Sequence, residues 1–153
     1  MVRAMTEIAE PPRVETETPD LEITLPARAE NVAVVRHAVG GLGEVLDVDD
    51  QTLSDIKLAV TEACTNVVVH AYPDSVGPMG LRATVDDRRL DLVVIDRGRG
   101  IVPRADSPGL GLGLPLIATL AESLELGTGR DEETEVRMVF DLGAPAGGEE
   151  PGA

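Results

Sequence analysis

The sequence predicts an α+β two-layer sandwich, with helices packed on one face of a mixed, mostly antiparallel sheet. A chain of 153 residues with 42% hydrophobic side chains can bury one core. Strand-like and helix-like segments follow one another as β-α-α-β-β, a loop, and α-β-β. Two pairs of strands are adjacent in sequence, which favours antiparallel hairpins over a doubly wound parallel sheet.

The first elements are a strand and two helices. Residues 21–25, LEITL, alternate apolar and polar side chains as a half-buried strand does. Residues 30–46, ENVAVVRHAVGGLGEVL, have helical apolar spacing until three glycines loosen it. The second helix is predicted to begin with Thr52 as its N-cap, since Asp55 follows three residues later, and to stop at Pro73.

The remaining elements are two hairpins, with a glycine-rich loop and a helix between them. Residues 80–96, GLRATVDDRRLDLVVID, form two strand-like runs, and the apolar stretch LVVI indicates that the second is central. Residues 113–124, GLPLIATLAESL, have helical spacing. LELGT and EVRMVFDL, residues 124–128 and 135–142, predict the two closing strands.

The ends of the chain differ from its middle in composition. Residues 1–20 are rich in Glu, Thr and Pro, and residues 143–153, GAPAGGEEPGA, have no large apolar side chain. Neither segment can offset the entropy cost of ordering by burial, so both are expected to be disordered tails, the first of them acidic. One folded domain is expected at residues 21–142.

Charge and aromatic content exclude several kinds of partner. The net charge of -15, a single lysine and two aromatic side chains argue against nucleic-acid binding, which depends on clustered cations and stacking platforms. One cysteine allows no internal disulfide, and nothing resembles a signal peptide or a membrane span. We therefore expect a soluble cytoplasmic protein without direct nucleic-acid or membrane contact.

Three polar constellations are candidates for a site, and the first is in EACTNVVVH. Glu62, Asn66 and His70 stand four residues apart, which places them in one row along a helix. A carboxylate can act as a base, an amide oxygen can bind magnesium and an imidazole can meet an anion. A solvated stripe on an amphipathic helix would have the same spacing.

The other two constellations are rich in glycine. Asp96 follows the central strand directly and precedes the glycines of DRGRG, so it is either a lone acceptor at the sheet edge or the Asx residue of a tight turn. Gly109, Gly111 and Gly113 precede the predicted third helix, where free N–H groups and the helix dipole could meet phosphate. Their spacing matches neither the P-loop nor the dinucleotide fingerprint, and hinge glycines would explain it as well.

Taken in order, the stretches EACTNVVVHAY, DRGRGI, GLGLGLPLI and TEVRMVF resemble the N, G1 and G2 boxes and the closing strand of the GHKL ATP-binding superfamily, which has the Bergerat fold. The Glu-Ala-Cys-Thr-Asn start, the histidine four residues after the asparagine and the short lid are similar to the anti-sigma factor serine kinases of the RsbW and SpoIIAB type. The resemblance covers residues 21–142.

This resemblance implies roles on the phosphate side of an ATP site. Asn66 would hold the magnesium that bridges the ATP phosphates, and Glu62 would be the general base toward the accepting serine hydroxyl. His70 would approach the phosphates, as would Arg104 in the lid. The moving lid matches the run of Gly109, Leu110, Gly111, Leu112 and Gly113.

It also implies roles on the adenine side. Asp96 would accept from the adenine amino group, and Gly98 and Gly100 would let the base and sugar approach. Thr134 matches the threonine that is bonded to adenine through the aspartate and water. Thr128 is a rival, because acidic residues are inserted in GTGRDEETEV.

As a whole, the resemblance implies an ATP-dependent serine kinase that phosphorylates a STAS-type anti-anti-sigma protein, sequesters a sigma factor and forms a homodimer. Two alternatives stay open: an ATP-binding regulatory module without kinase activity, and a stand-alone histidine-kinase-like ATPase domain. Intact Glu62 and Asn66 favour the kinase over the binding module.

Overall fold

The computed structural model describes residues 18–99 and 108–147. The strands in this part are β1 (Leu21–Pro26), β2 (Pro78–Asp86), β3 (Arg89–Asp96), β4 (Ser123–Thr128) and β5 (Thr134–Asp141). The helices are α1 (Ala29–Val45), α2 (Asp50–Asn66) and α3 (Pro108–Leu120), with a π-helical turn (Val67–Ala71) directly after α2 and a 3₁₀ turn at Arg130–Glu132. The expectations for residues 1–17, 100–107 and 148–153 lie outside the described residues. No described helix is both long and apolar enough to cross a bilayer.

The strands form one sheet in the order β1-β2-β3-β5-β4. The predicted two-layer α+β fold is confirmed, but all the pairings among the described strands are antiparallel, so this sheet is not mixed. After β3 the chain passes through α3 to β4 at the edge, and β5 then returns between β3 and β4. β3 is therefore central, as its continuous apolar run predicted.

The helices cover one face of this sheet. Along β3, Leu90, Leu92 and Val94 are buried in the core that the helices share, whereas Asp91 and Ile95 are half-buried on the open face. α2 packs against both α1 and α3 and contacts β3. The middle helix is thus held on three sides, which makes it a rigid support for functional side chains.

Two helix boundaries differ from the sequence prediction. α1 does not loosen at its glycines but runs to Val45, because Gly43 is the point where α2 packs closely and a Cβ there would overlap Leu53. α2 begins earlier than predicted: the carboxylate of Asp49 is the cap and accepts from Thr52 N at 2.8 Å and Thr52 Oγ1 at 2.9 Å. The prediction of Thr52 as N-cap was wrong, since its own N–H is the group that is capped.

The start of α3 is a third difference. The helix begins at Pro108, so Gly109, Gly111 and Gly113 lie in its first turns and not before it. Proline is tolerated at the start of a helix because the N–H that it lacks would have no intrahelical partner there. The prediction that these glycines precede the helix was therefore wrong.

Candidate functional site

The C-terminal half of α2 carries Glu62 and Asn66 one turn apart. Glu62 is half-buried, whereas Asn66 is only 4% exposed and its Nδ2 has no hydrogen-bond partner among the described residues. α3 passes close to this amide, since a Cβ on Gly113 would lie 3.0 Å from Nδ2 and 3.2 Å from Oδ1. Glycine at this point of α3 leaves room for the amide.

The chemistry of Asn66 fits a magnesium ligand. A buried polar atom without a partner costs about 1–3 kcal/mol, so its presence needs a reason. Turning the amide by 180° presents its oxygen at the same point, and an amide oxygen is a ligand that hard cations accept. Residues 18–99 and 108–147 include no cluster of three His, Cys, Asp or Glu side chains that could hold a metal ion.

The row of polar residues predicted along α2 ends at Asn66. The next turn, Val67–Ala71, is π-helical and holds more residues per turn than an α-helix does. His70 therefore lies at a different angle around the helix axis from the one that α-helical winding gives, and the α-helical spacing assumed for it was wrong. Its carbonyl accepts a hydrogen bond from Arg99 Nε at 3.0 Å. A role for its ring at the phosphates stays a prediction.

Asp96 is the last residue of β3 and is only 2% exposed. Its Oδ1 accepts a hydrogen bond from Gly98 N at 2.9 Å, which is the pattern of an Asx turn. Burial raises the pKa of this carboxyl above its ordinary value, and the bond from Gly98 partly offsets that effect. The two interpretations that the sequence left open are compatible, because one carboxylate oxygen suffices to close the turn.

Thr134 lies directly opposite Asp96 in the β3–β5 register. Thr128 pairs with Thr134 on its other side, in β4, and is therefore two strands away from Asp96. Neighbouring strands lie about 4.8 Å apart, which places Thr128 about 10 Å from Asp96. Of the two threonines considered, the sheet brings Thr134 next to the aspartate.

The loop after Asp96 is fastened to the end of the π turn. Arg99 N donates to Ala71 O at 3.0 Å, and a Cβ on Gly98 would overlap the same oxygen. Only glycine permits this approach. The end of α2 that carries Asn66 and the end of β3 that carries Asp96 are thereby joined.

The hydroxyl of Tyr72 also holds this loop by hydrogen bonds, which the sequence did not predict. Its hydroxyl accepts from Arg97 N at 2.7 Å and donates to Pro78 O at 2.6 Å. Burial raises the pKa of the phenol, so the hydroxyl keeps the proton that it donates. The chain has a single tyrosine, and its position beside a helix-ending proline is the signal that could have identified it.

The other predicted positions are only partly described. Gly100 and Arg104 lie outside the described residues. Among the lid positions, Gly109, Leu110, Gly111 and Leu112 belong to the first turns of α3, and Gly113 is buried.

A groove of about 800 Å³ lies on the open face of the sheet, on the side opposite to the helices. Three ion pairs along it are Arg82–Glu135 at 3.4 Å, Arg97–Glu133 at 2.9 Å and Arg137–Asp91 at 2.7 Å. Each of these arginines is already neutralised by a carboxylate. These pairs weaken the attraction of the three arginines for an anionic ligand.

Residues 25–140 match the family described as histidine kinase-like ATPase domain, and this range includes both α2 and the Asp96 turn. The chain belongs to this family. The fold described above is the histidine-kinase-like ATPase fold that the resemblance in sequence implied.

The chain is similar to two curated members of known name. Serine-protein kinase RsbW of Halalkalibacterium halodurans is 40% identical over an alignment of 121 residues, and the match covers 69% of this chain and 74% of that protein. Anti-sigma F factor of Caldanaerobacter subterraneus subsp. tengcongensis is 29% identical over an alignment of 134 residues, and the match covers 80% of this chain and 94% of that protein.

A solved structure is also similar. The crystal structure of the RsbU and RsbW domains of a Mycobacterium tuberculosis protein matches 84% of this chain with a TM-score of 0.66 and 26% sequence identity. This chain spans 34% of that longer chain, so the likeness concerns one part of it.

Proposed function

We propose that this family member is an ATP-dependent serine kinase that acts as an anti-sigma factor. It phosphorylates a serine of a STAS-type anti-anti-sigma protein, and it sequesters a sigma factor while that partner is phosphorylated. The names of the relatives, serine-protein kinase and anti-sigma factor, support the two halves of this proposal. One observation carries it at the level of residues: half-buried Glu62 lies one turn from the buried amide of Asn66, whose Nδ2 has no hydrogen-bond partner in the described part of the chain.

The two ends of the site have separate tasks in this proposal. Asp96 accepts from the adenine amino group, with Thr134 beside it. Asn66 ligates Mg²⁺ when the nucleotide is bound. The ion supplies positive charge, which a chain of net charge -15 needs in order to bind the ATP phosphates.

Glu62 acts on the incoming serine. The serine oxygen bonds to the γ-phosphorus while the bond from that phosphorus to the oxygen shared with the β-phosphate breaks, which releases ADP. Glu62 orients the hydroxyl and takes its proton late in the transfer, since a carboxylate is a weak base. Positioning contributes more than proton removal in phosphoryl transfer, and the rigid packing of α2 supplies it.

The finer expectations belong to the same proposal. Gly98 and Gly100 admit the base and sugar, the segment from Gly109 to Gly113 covers the phosphates, and His70 and Arg104 approach them. The protein works in the cytoplasm as a homodimer, with Mg²⁺ as the metal ion and with the STAS protein and the sigma factor as its partners.

Phosphotransfer from γ-labelled ATP tests the proposal. The protein is incubated with ATP, Mg²⁺ and STAS proteins encoded in the same genome, and we expect label on a serine of one of them. ATP binding without any labelled serine would instead identify a regulatory nucleotide-binding module. Label on a histidine would favour the histidine-kinase-like alternative. Absence of ATP binding would exclude the proposed kinase and both alternatives.

A further inference from the structure

We infer that Arg99 is a positioning residue, which sets the Mg²⁺-dependent part of nucleotide affinity by holding the π turn in place. This inference rests on the proposed function, because it concerns the same site. Arg99 stands between the two glycines of DRGRG, and the resemblance in sequence assigns no role to its side chain.

Arg99 meets two consecutive carbonyls at the end of the π turn. Its backbone N donates to Ala71 O at 3.0 Å, and its side-chain Nε donates to His70 O at 3.0 Å. The last carbonyls of a helix have no intrahelical partner, and a cation near them is favoured by the helix dipole. The guanidinium bond is charge-assisted and is therefore the stronger kind of hydrogen bond.

The π turn needs such support. π-helical turns are rare and occur mostly as single turns at functional sites. If Val67–Ala71 relaxed to α-helical winding, Ala71 would rotate about the helix axis relative to Asn66. The loop that Ala71 holds through Gly98 and Arg99 would then shift relative to the Asn66 amide.

A shift of this kind separates the two ends of the nucleotide site. Asp96 begins the loop that is fastened to Ala71, and Asn66 immediately precedes the turn. ATP that is held at Asp96 can use a metal ion at Asn66 only if both ends keep their spacing. Loss of the Arg99 side chain should therefore reduce the gain in affinity that Mg²⁺ provides, and leave affinity without Mg²⁺ nearly unchanged.

Dissociation constants for a fluorescent ATP analogue, measured with Mg²⁺ and with EDTA, test this inference. We expect Arg99→Ala to lower the affinity in Mg²⁺ about tenfold, the scale of one charge-assisted hydrogen bond. Arg99→Gln keeps a neutral donor and should stay within about threefold of the wild type. Arg89→Ala removes the same charge at the far end of β3, where the side chain pairs with Glu122, and should not change the affinity.

The outcomes separate this inference from the proposed function. Affinity of Arg99→Gln as low as that of Arg99→Ala would show that a hydrogen-bond donor at this position does not hold the turn, and it would overturn the inference. An unchanged affinity of Arg99→Ala would also overturn it. The same holds if Arg99→Ala melts at a lower temperature but its nucleotide affinity still rises with Mg²⁺ as in the wild type. A wild-type protein that binds no ATP analogue would overturn the proposed function and this inference together.

Discussion

Asp96 and Thr134 are direct cross-strand partners, and both belong to the face of the sheet that the helices cover. A slip of one residue between β3 and β5 would turn the buried side chains of Leu92 and Val94 toward the open face. Core packing therefore fixes the position of Thr134 beside Asp96. The length of the loop before β5 does not decide that position.

Asp96→Asn is expected to stabilise the protein without nucleotide and to weaken ATP binding. The folded-state pKa of Asp96 is raised above its ordinary 3.8, so its contribution to stability is present below 3.8 and is lost as the pH rises through the raised value. At pH 7 the ionised carboxylate is unfavourable, and asparagine removes this cost while its oxygen still accepts from Gly98 N. Urea unfolding at pH 7 and at decreasing pH checks this. The advantage of the variant should shrink as the pH approaches 3.8, and a less stable variant at pH 7 would contradict the prediction.

Glu62→Gln is expected to abolish phosphotransfer and to retain nucleotide binding. The amide has nearly the same shape but cannot take the serine proton, and loss of a general base typically costs about 10²–10⁴-fold in rate. Initial rates of STAS phosphorylation and ATP titrations measure the two effects separately. Glu44→Gln, on the exposed surface of α1, is the matched control and should have wild-type rates. A Glu62→Gln variant with the same rate as the control would remove Glu62 as the base.

Asn66→Ala is expected to lose the Mg²⁺-dependent part of ATP affinity. The variant has no amide oxygen for the ion, and its affinity should be the same in Mg²⁺ and in EDTA. The other asparagine of the chain, Asn31, donates to Pro26 O at 2.8 Å, and Asn31→Ala serves as the control. Titration calorimetry with and without Mg²⁺ decides the matter, and a preserved gain from Mg²⁺ in Asn66→Ala would exclude the amide as a ligand.

Gly98→Ala is expected to weaken both ATP binding and stability. The new methyl group would overlap Ala71 O, so the loop after Asp96 has to move away from the π turn. Gly41→Ala on α1 is the matched control, because nothing lies within 4 Å of its Cβ position, and alanine should stabilise the helix by up to about 1 kcal/mol. Gly98→Ala should therefore lower both the melting temperature and the ATP affinity, whereas Gly41→Ala should raise the melting temperature. A Gly98→Ala protein that melts no lower than the wild type would contradict the clash.

Cys64 is expected to resist alkylation in the folded protein. Burial raises the pKa of its thiol to about 12, and no part of the side chain is exposed, so the reactive thiolate is scarce and inaccessible. Iodoacetamide at pH 8 should modify the thiol rapidly in urea and slowly in buffer. Mass spectrometry measures the two rates of modification. Equal rates in the two solvents would show that the core around α2 opens readily.

The sequence predicted the layers of the fold because apolar periodicity reports burial directly. It predicted that Glu62 and Asn66 lie on the same side of one helix because one α-helical turn separates them. It failed at Gly43, which stays helical where Leu53 packs on it. It also failed at the start of α2, where a carboxylate three residues earlier, that of Asp49, caps the helix in place of Thr52.

The site was harder to predict where backbone atoms form it. The π turn has no pattern of its own in VVVHA, so His70 was placed by an α-helical count that does not apply. The fastening of Tyr72 to Arg97 N and Pro78 O joins segments that are distant in sequence. Side-chain types alone do not indicate which backbone groups such a hydroxyl will meet.

The π turn after Asn66 also bears on what a one-residue deletion in this segment would do. A π turn is what an α-helix becomes when it gains one residue without being lengthened, because the surplus residue is accommodated within the turn. Deleting one residue from Val67–Val69 should restore α-helical winding and leave α2 intact. A relative with one residue fewer between its asparagine and its tyrosine would then have a different orientation of the histidine, although every motif residue were still present.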